Sequence, residues 1–396
     1  MATGVVARAP GRSPTRVRRL RLKQWTTSSP QQTAPVDTSR DSALDGLRGF
    51  AALAVSSSHL AVYFGLLPFP PLGAIGVLVF FVLSGYLIAT ICWRSAPTAR
   101  SYALFLRRRV VRLTPVVLAL VLVGGPALVL WGGLDPGEVV RDGAATLFQV
   151  TALTALVVDD QVAAFNPTWS LTVEWVFYLV FPVVLIGLRR RGDTPREAAR
   201  VLAGAAAVLY AVGLFLPVKA FYLLPVANLG VLFAGAALAT WHLARERDEP
   251  SDTGRTAMAM GMLAVFVVLP GYTLGWGWKA VILPAVTLAT LVVVHGCRTG
   301  SLPTRGLAVR PFVVVGVRAY SLYLWHLPVM WIVWVQLPGL GGWEKAGVSV
   351  LVLAAVVTAS FELLERPVLR GRVRDRVPLA MADDRAAAVG SGPVLP

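Results

Sequence analysis

The feature that most constrains this chain is a series of ten apolar runs, each long enough to cross a lipid bilayer as a helix. Hydrophobic residues make up 56% of the 396 residues and charged residues only 15%, a composition too apolar for a soluble domain. The sequence therefore predicts an all-α, multi-pass membrane protein with ten transmembrane helices. The runs fall at residues 43–64, 73–93, 114–131, 169–188, 200–216, 221–243, 257–274, 277–296, 318–337 and 346–364.

The loops between these runs alternate in charge. Because cytoplasmic loops are enriched in Lys and Arg, ten spans put every Arg-rich loop on the side of the N-terminus, with both termini in the cytoplasm beneath the cell membrane. A weaker apolar run at 143–158 would break this alternation if it crossed the bilayer. We therefore expect it to be a re-entrant or interfacial helix. The Arg-rich loops are residues 94–112, 189–200, 245–255, 298–310 and 366–376.

The chain is expected to contain one membrane domain, residues 41–367, between two disordered cytoplasmic tails, 1–40 and 368–396. The first tail is basic and polar, and no apolar segment follows it as a signal peptide would require. The net charge of +16 lies in short loop clusters, which indicates membrane topology rather than a nucleic-acid partner. Cys92 and Cys297 lack neighbours at ligand spacing, so neither a disulfide framework nor a zinc site is predicted.

Two ionisable residues, Arg48 and His59, interrupt the first apolar run. In a helix, the eleven residue-to-residue steps from Arg48 to His59 turn about 1100°, so both side chains point to the same side, about 16 Å apart along the axis. This separation indicates two roles toward one long substrate. A neutral His59 can accept a proton from a hydroxyl group. The competing interpretation is a histidine that is satisfied by a neighbouring helix.

Two carboxylates in or beside the apolar runs need partners. Glu174 comes just over one turn into a predicted helix, where it can pair with His59 or with Arg48. A purely structural contact between helices is the alternative for Glu174. Glu365 directly precedes Arg366 near the end of the last run, and we expect these two residues to form an ion pair there.

Arg109 and Arg112 lie three residues apart where a loop becomes a helix on the predicted cytoplasmic side. That spacing puts them on one helix face, from which they can clamp the phosphates of a cytosolic cofactor. Contact with lipid headgroups is the simpler reading for most arginines at such a position. No Gly-rich phosphate loop or dinucleotide-binding fingerprint precedes this helix, so a nucleotide-binding fold is not predicted.

Two further segments combine small or polar residues with aromatic ones. Ser84 and Gly85 allow a neighbouring helix to approach closely, and Tyr86 follows them with a hydroxyl that can form hydrogen bonds. Tyr323 and His326 lie beside a proline that frees a backbone carbonyl in the last third of the chain. Packing alone can explain the first segment, whereas packing and function explain the second about equally well.

Together these motifs resemble those of acyltransferase family 3, a family of integral membrane proteins that O-acylate sugars, lipopolysaccharide, peptidoglycan-associated glycans and macrolides. Arg48 and His59 are similar to the Arg-x10-His motif in the first span of that family. Five motifs occur in order over residues 41–367, which makes the resemblance specific. The other four are Phe80 to Tyr86, Arg109-x-x-Arg112-x-x-Pro115, Trp169-Ser170-x-x-x-Glu174 to Tyr178, and Tyr320 to Pro328.

The resemblance implies a ten-span enzyme that takes a short acyl group, most simply acetyl, from acyl-CoA bound on the cytoplasmic side. The acceptor would be a hydroxyl of a sugar, a glycan or a macrolide-type compound, and no metal is required. His59 would act as general base or carry the acyl group itself, Arg48 would hold the polar part of the donor, and Glu174 would orient the imidazole. Arg109 and Arg112 would receive the CoA phosphates. Residues expected to support the substrate or the site are Ser84, Tyr86, Trp169, Ser170, Tyr178, Tyr323 and His326.

Two other classes of protein remain as alternatives. A transporter of an acylated or glycosylated metabolite would form no bond, but the chain lacks the inverted repeats and paired broken spans common in transporters. A membrane sensor without catalytic activity would tolerate replacement of His59 with no loss of donor turnover.

Overall fold

The computed structural model describes residue 1 and residues 38–67, 73–158, 161–245, 250–268 and 277–370, with the side chains of 38–41 left aside. All regular secondary structure in these ranges is helical, as predicted. The two predicted tails lie almost wholly outside the described residues. The helices are α1 Thr38–Phe64, α2 Ala74–Arg94, α3 Ala99–Ala119, α4 Gly125–Leu130, α5 Pro136–Leu147, α6 Thr151–Val157, α7 Trp169–Arg190, α8 Pro195–Leu214, α9 Val218–Leu223, α10 Pro225–Leu243, α11 Thr253–Val268, α12 Leu283–Thr299, α13 Arg310–Val317, α14 Ala319–Gln336 and α15 Gly342–Ser360.

Seven helical stretches in the described ranges are long and apolar enough to cross a membrane, and α13 with α14 adds an eighth if this pair, bent by 76°, is one span. The helix α1 is 27 residues long, but Arg48, His59 and three adjacent serines make it more polar than those seven. A count of ten spans and cytoplasmic termini therefore stay predictions. The seven stretches are Ala74–Arg94, Ala99–Leu130, Ala163–Arg190, Pro195–Leu214, Val218–Leu243, Trp278–Thr299 and Gly342–Arg370.

The single helix expected at 143–158 is replaced by two short ones, α5 of 12 residues and α6 of 7. Gln149 lies between them with a φ of 59°, a left-handed conformation that ends the first helix. The carboxylate of Asp142 is buried in α5, where it accepts a hydrogen bond of 2.6 Å from the backbone N–H of Val162. Neither helix reaches the roughly 20 residues that a transmembrane helix needs.

Close backbone contacts fix the helices that carry the candidate site residues. A Cβ atom added at Gly85 of α2 would lie 1.9 Å from the carbonyl oxygen of Leu232 in α10, so only glycine permits this approach. The expected close helix approach at the Ser84–Gly85 pair is thus confirmed. Gly316 of α13 lies equally close to α1, since its added Cβ would be 1.7 Å from the carbonyl oxygen of Asp45. These two contacts hold Ser84 and Arg48 in fixed positions beside a shared cavity.

Candidate functional site

Two cavities in the helical bundle are lined by most of the polar side chains that the sequence singled out. The first, of about 210 Å³, is the arginine cavity, and its wall includes Arg48, Arg109 and Arg112. The second, of about 780 Å³, is the histidine cavity, and its wall includes His59 and Tyr323. Arg48 and His59, which are separated along α1, therefore line two neighbouring cavities rather than one site.

The arginine cavity has an excess of positive charge. The guanidinium group of Arg109 lies 5.3 Å from the ring centroids of both Phe105 and Tyr178, in cation–π contact with each. Arg48 is paired with Asp45, one turn earlier in α1, at 2.5 Å. Within the described ranges, no carboxylate lies at ion-pair distance from Arg109 or Arg112. This chamber is therefore suited to a ligand that carries several negative charges.

Glu174, which also lines the arginine cavity, has partners that differ from those expected. One carboxylate oxygen accepts a hydrogen bond of 2.6 Å from Ser84, and the other accepts one of 2.7 Å from the hydroxyl of Tyr178. Pairing of Glu174 with His59 or with Arg48 is wrong for this structure. The physical reason is local: Tyr178 lies one helical turn away on the same face, and Arg48 is already engaged by Asp45.

A pair of histidines joins α1 to α14 at the histidine cavity. Nδ1 of His59 lies 3.0 Å from Nε2 of His326, and the two rings stack with centroids 5.0 Å apart. Nδ1 of the fully buried His326 lies 2.7 Å from the backbone carbonyl oxygen of Tyr323. His59 thus has a histidine partner, not the acidic one that was expected.

The hydrogen bonds assign the protons of this pair when both rings are neutral. A carbonyl oxygen only accepts, so Nδ1 of His326 must carry a hydrogen, which leaves its Nε2 as an acceptor. Nδ1 of His59 then donates to that acceptor. The lone pair of His59 is therefore on Nε2, in a ring that lines the histidine cavity, and this is the protonation form that a general base requires.

Tyr323, Ser170 and Trp169 lie at the boundary between the two cavities. The hydroxyl of Tyr323 lies 2.8 Å from Oγ of Ser170 and donates a hydrogen bond of 2.7 Å to the carbonyl oxygen of Pro167. Trp169 packs against Tyr222, with ring centroids 4.5 Å apart, in the wall of the histidine cavity. The structure thus brings these predicted support residues next to the histidine pair or the arginine cavity.

Tyr86 lies apart from both cavities. Its hydroxyl is 3.2 Å from Nδ1 of His242, and Nε2 of His242 is 2.9 Å from Nδ1 of His295. The sequence alone gave no reason to connect these two histidines with Tyr86. The three side chains join α2, α10 and α12 at a distinct cluster, so Tyr86 supports the fold rather than the walls of either chamber.

Glu365 is a buried carboxylate that sequence reasoning placed incorrectly. Its oxygen accepts a hydrogen bond of 2.5 Å from Ser321, whereas Arg366 pairs with Glu362 one turn earlier. The expected Glu365–Arg366 ion pair is therefore wrong. A signal was present in the sequence, since Leu353, Val357 and Phe361 precede Glu365 at four-residue intervals, and the structure buries all four positions.

In the ranges that the structure describes, no group of three or more His, Cys, Asp or Glu side chains could hold a metal ion. The fold and these cavities define a helical membrane protein with a cationic chamber beside a chamber that contains a histidine pair.

This chain belongs to the acyltransferase 3 family, because a family model of the acyltransferase domain matches residues 41–364. O-acetyltransferase OatA of Staphylococcus aureus is 28% identical over 364 residues, covering 82% of this chain and 56% of that relative. YrhL of Bacillus subtilis, which carries a provisional name as a peptidoglycan O-acetyltransferase, is 28% identical and covers 82% of this chain and 54% of its own length.

A third relative, acyltransferase MdmB of Streptomyces mycarofaciens, is 38% identical over 151 residues, or 35% of this chain and 38% of the relative. The chain thus spans little more than half the length of OatA and YrhL, and a smaller part of MdmB. No solved structure matches the chain.

Proposed function

We propose that this protein is a membrane O-acyltransferase that moves a short acyl group, acetyl, from acyl-CoA to a hydroxyl of a carbohydrate or a glycosylated metabolite. The observation that carries the proposal is the chain of hydrogen bonds from Tyr323 through His326 to His59, which leaves Nε2 of His59 as a proton acceptor. Family membership and the names of the relatives support the same reaction class.

The arginine cavity is the proposed donor site. Acyl-CoA is a polyanion with a long, uncharged, flexible arm that ends in the thioester. Arg109 and Arg112 would bind its phosphates by charge-assisted hydrogen bonds, and Arg48 would hold the polar groups nearer the thioester. With the N-terminus of the chain on the cytoplasmic side, this cavity would be filled from the cytosol.

The histidine cavity is the proposed acceptor site. In addition to His59, its wall contains the side-chain amides of Asn166 and Gln161 and the aromatic pair of Trp169 and Tyr222. Amides and aromatic rings are the groups that can hydrogen-bond to hydroxyls and pack against the apolar face of a sugar ring. The larger volume of this chamber, about 780 Å³, also suits a ring-sized acceptor.

In the proposed reaction, Nε2 of His59 takes the proton of the acceptor hydroxyl as its oxygen attacks the thioester carbonyl carbon. The carbon–oxygen bond of the new ester forms and the carbon–sulfur bond breaks. The departing thiolate receives the proton from His59, so that the products are the O-acyl ester and free CoA with its thiol restored. His326 accepts the hydrogen bond from Nδ1 of His59 throughout and keeps the ring oriented.

Glu174 receives a different role in this proposal from the one the sequence indicated. Its hydrogen bonds hold Ser84 and Tyr178, and the ring of Tyr178 lies under Arg109. We infer that Glu174 shapes the donor cavity and positions Arg109 rather than acting on the imidazole.

The test uses purified full-length protein in lipid nanodiscs, acetyl-CoA and a panel of soluble sugars and glycans, with free thiol as the readout. Acceptor-dependent thiol release that His59→Ala reduces at least 100-fold supports the proposal, because general base catalysis contributes about 10²–10⁴-fold. The control is Leu53→Ala, which changes a side chain of α1 that is 40% exposed and lines neither cavity.

A transporter would behave differently in sealed vesicles. It would accumulate a labelled sugar with no thiol release, and that result would overturn the enzymatic proposal. Equal turnover in wild type and His59→Ala would overturn the role of His59.

A further inference from the structure

Two residues, Val77 of α2 and Tyr323 of α14, line both the arginine cavity and the histidine cavity. We name this pair the partition. Val77 is 6% exposed and Tyr323 is 8% exposed, so both are surrounded by protein except where they face the chambers. A ligand that reached from one chamber into the other would pass beside these two side chains.

The tyrosine of the partition is held from both sides. Its hydroxyl bonds to Ser170, which lines the arginine cavity, and to the carbonyl of Pro167, which lines the histidine cavity. The ring of Phe80 meets the Tyr323 ring edge-on at 6.0 Å. Movement of this side chain to another χ1 rotamer would break two buried hydrogen bonds, so Tyr323 forms a fixed wall.

The same tyrosine is connected to the proposed reaction centre through its backbone. Its carbonyl oxygen accepts the hydrogen bond from His326, which in turn accepts from His59. Tyr323 and the reactive imidazole are therefore joined by one chain of hydrogen bonds. A thioester presented to His59 from the arginine cavity would have its acyl group next to Val77 and the Tyr323 ring.

We propose that the partition determines the length of the acyl group, with the Val77 side chain as the residue that limits it. This inference rests on the proposed donor and acceptor chambers. Acetyl presents one methyl group to this apolar wall, whereas propionyl and butyryl add one and two carbons that Val77 would obstruct. A hydrophobic wall typically discriminates about 10-fold to 200-fold per methylene.

The experiment measures kcat/KM for acetyl-CoA, propionyl-CoA and butyryl-CoA by acceptor-dependent thiol release. Val77→Ala is expected to raise the propionyl-to-acetyl ratio of kcat/KM about 10-fold. The matched control is Val79→Ala, a change of the same size at a fully buried position of α2 that lines neither cavity. The control is expected to leave the ratio at the wild-type value.

A second variant tests the same inference in the opposite direction if Val77→Ala folds poorly. Val77→Ile adds one carbon to the partition and is expected to lower the propionyl-to-acetyl ratio further. An unchanged ratio in active Val77 variants, or the same shift in Val79→Ala, overturns the inference and leaves the proposed reaction intact. Absence of acetyl-CoA turnover in folded wild-type protein with every acceptor would overturn the proposed reaction and the inference together.

Discussion

His59 and His326, 267 positions apart in the chain, meet with Nδ1 of the first 3.0 Å from Nε2 of the second. Because Nδ1 of His326 is committed to the carbonyl of Tyr323, the direction of this hydrogen bond is fixed in the neutral pair. The first helix therefore supplies the proposed base, while α14 selects which of its nitrogens is free to react.

Replacement of His326 by alanine is expected to lower kcat for acyl transfer by at least 10-fold while the KM for acyl-CoA changes little. Without its partner, the His59 ring loses the hydrogen bond that orients it and selects its tautomer. His326→Gln should recover part of the loss, since the introduced amide oxygen can accept from Nδ1 of His59. Steady-state kinetics with thiol release measure both variants. Equal losses in the two variants would contradict this positioning role.

Arg112→Ala is expected to raise the KM for acyl-CoA roughly 10-fold or more, because a hydrogen bond to a charged group contributes about 1.5–3 kcal/mol. The effect on kcat should be small, since the phosphates lie far from the reacting carbonyl. Arg107→Ala is the control, as Arg107 is exposed on the same helix and lines neither cavity. An identical KM in the two variants would remove Arg112 from the donor site.

Glu174→Gln separates two roles for this carboxylate. If Glu174 positions Arg109 through Tyr178, the substitution should raise the KM for acyl-CoA and leave the pH profile of kcat unchanged. If instead it acted on His59, kcat should fall and its pH profile should shift at constant KM. Kinetics over a range of pH distinguish the two. Ser84→Ala removes the other hydrogen bond to Glu174 and is expected to produce the same pattern with a smaller change.

The sequence predicted the positions of the helices better than it predicted which of their polar side chains are in contact. Each of the ten apolar runs is largely helical over its described part, although the run 221–243 is divided between α9 and α10, because length and apolarity are local properties. Partner choice depends on helix rotation and depth, which no single run contains. Glu174 therefore bonds to Ser84 and Tyr178, and His59 to a histidine rather than to an acid.

Some of these partners were accessible from spacing alone. Tyr178 follows Glu174 by four residues and lies on the same face of α7, so their contact is a local feature. The burial of Glu365 continues a four-residue spacing along α15 into the turn of π-helix at Phe361–Glu365. The contact between His59 and His326, by contrast, required the three-dimensional packing of α1 against α14.

Gly85→Ala is expected to destabilise the protein by about 1–3 kcal/mol, the usual cost of overpacking. The added methyl group would fall 1.9 Å from the carbonyl oxygen of Leu232, so α2 and α10 would have to separate. Gly187→Ala is the matched control, because a Cβ atom there meets nothing within 4 Å in α7 and alanine favours the helix. Thermal unfolding in detergent measures both. Because Ser84 precedes Gly85 and lines the arginine cavity, Gly85→Ala should also weaken acyl-CoA binding. Equal stability of Gly85→Ala and Gly187→Ala would contradict the close packing of α2 on α10.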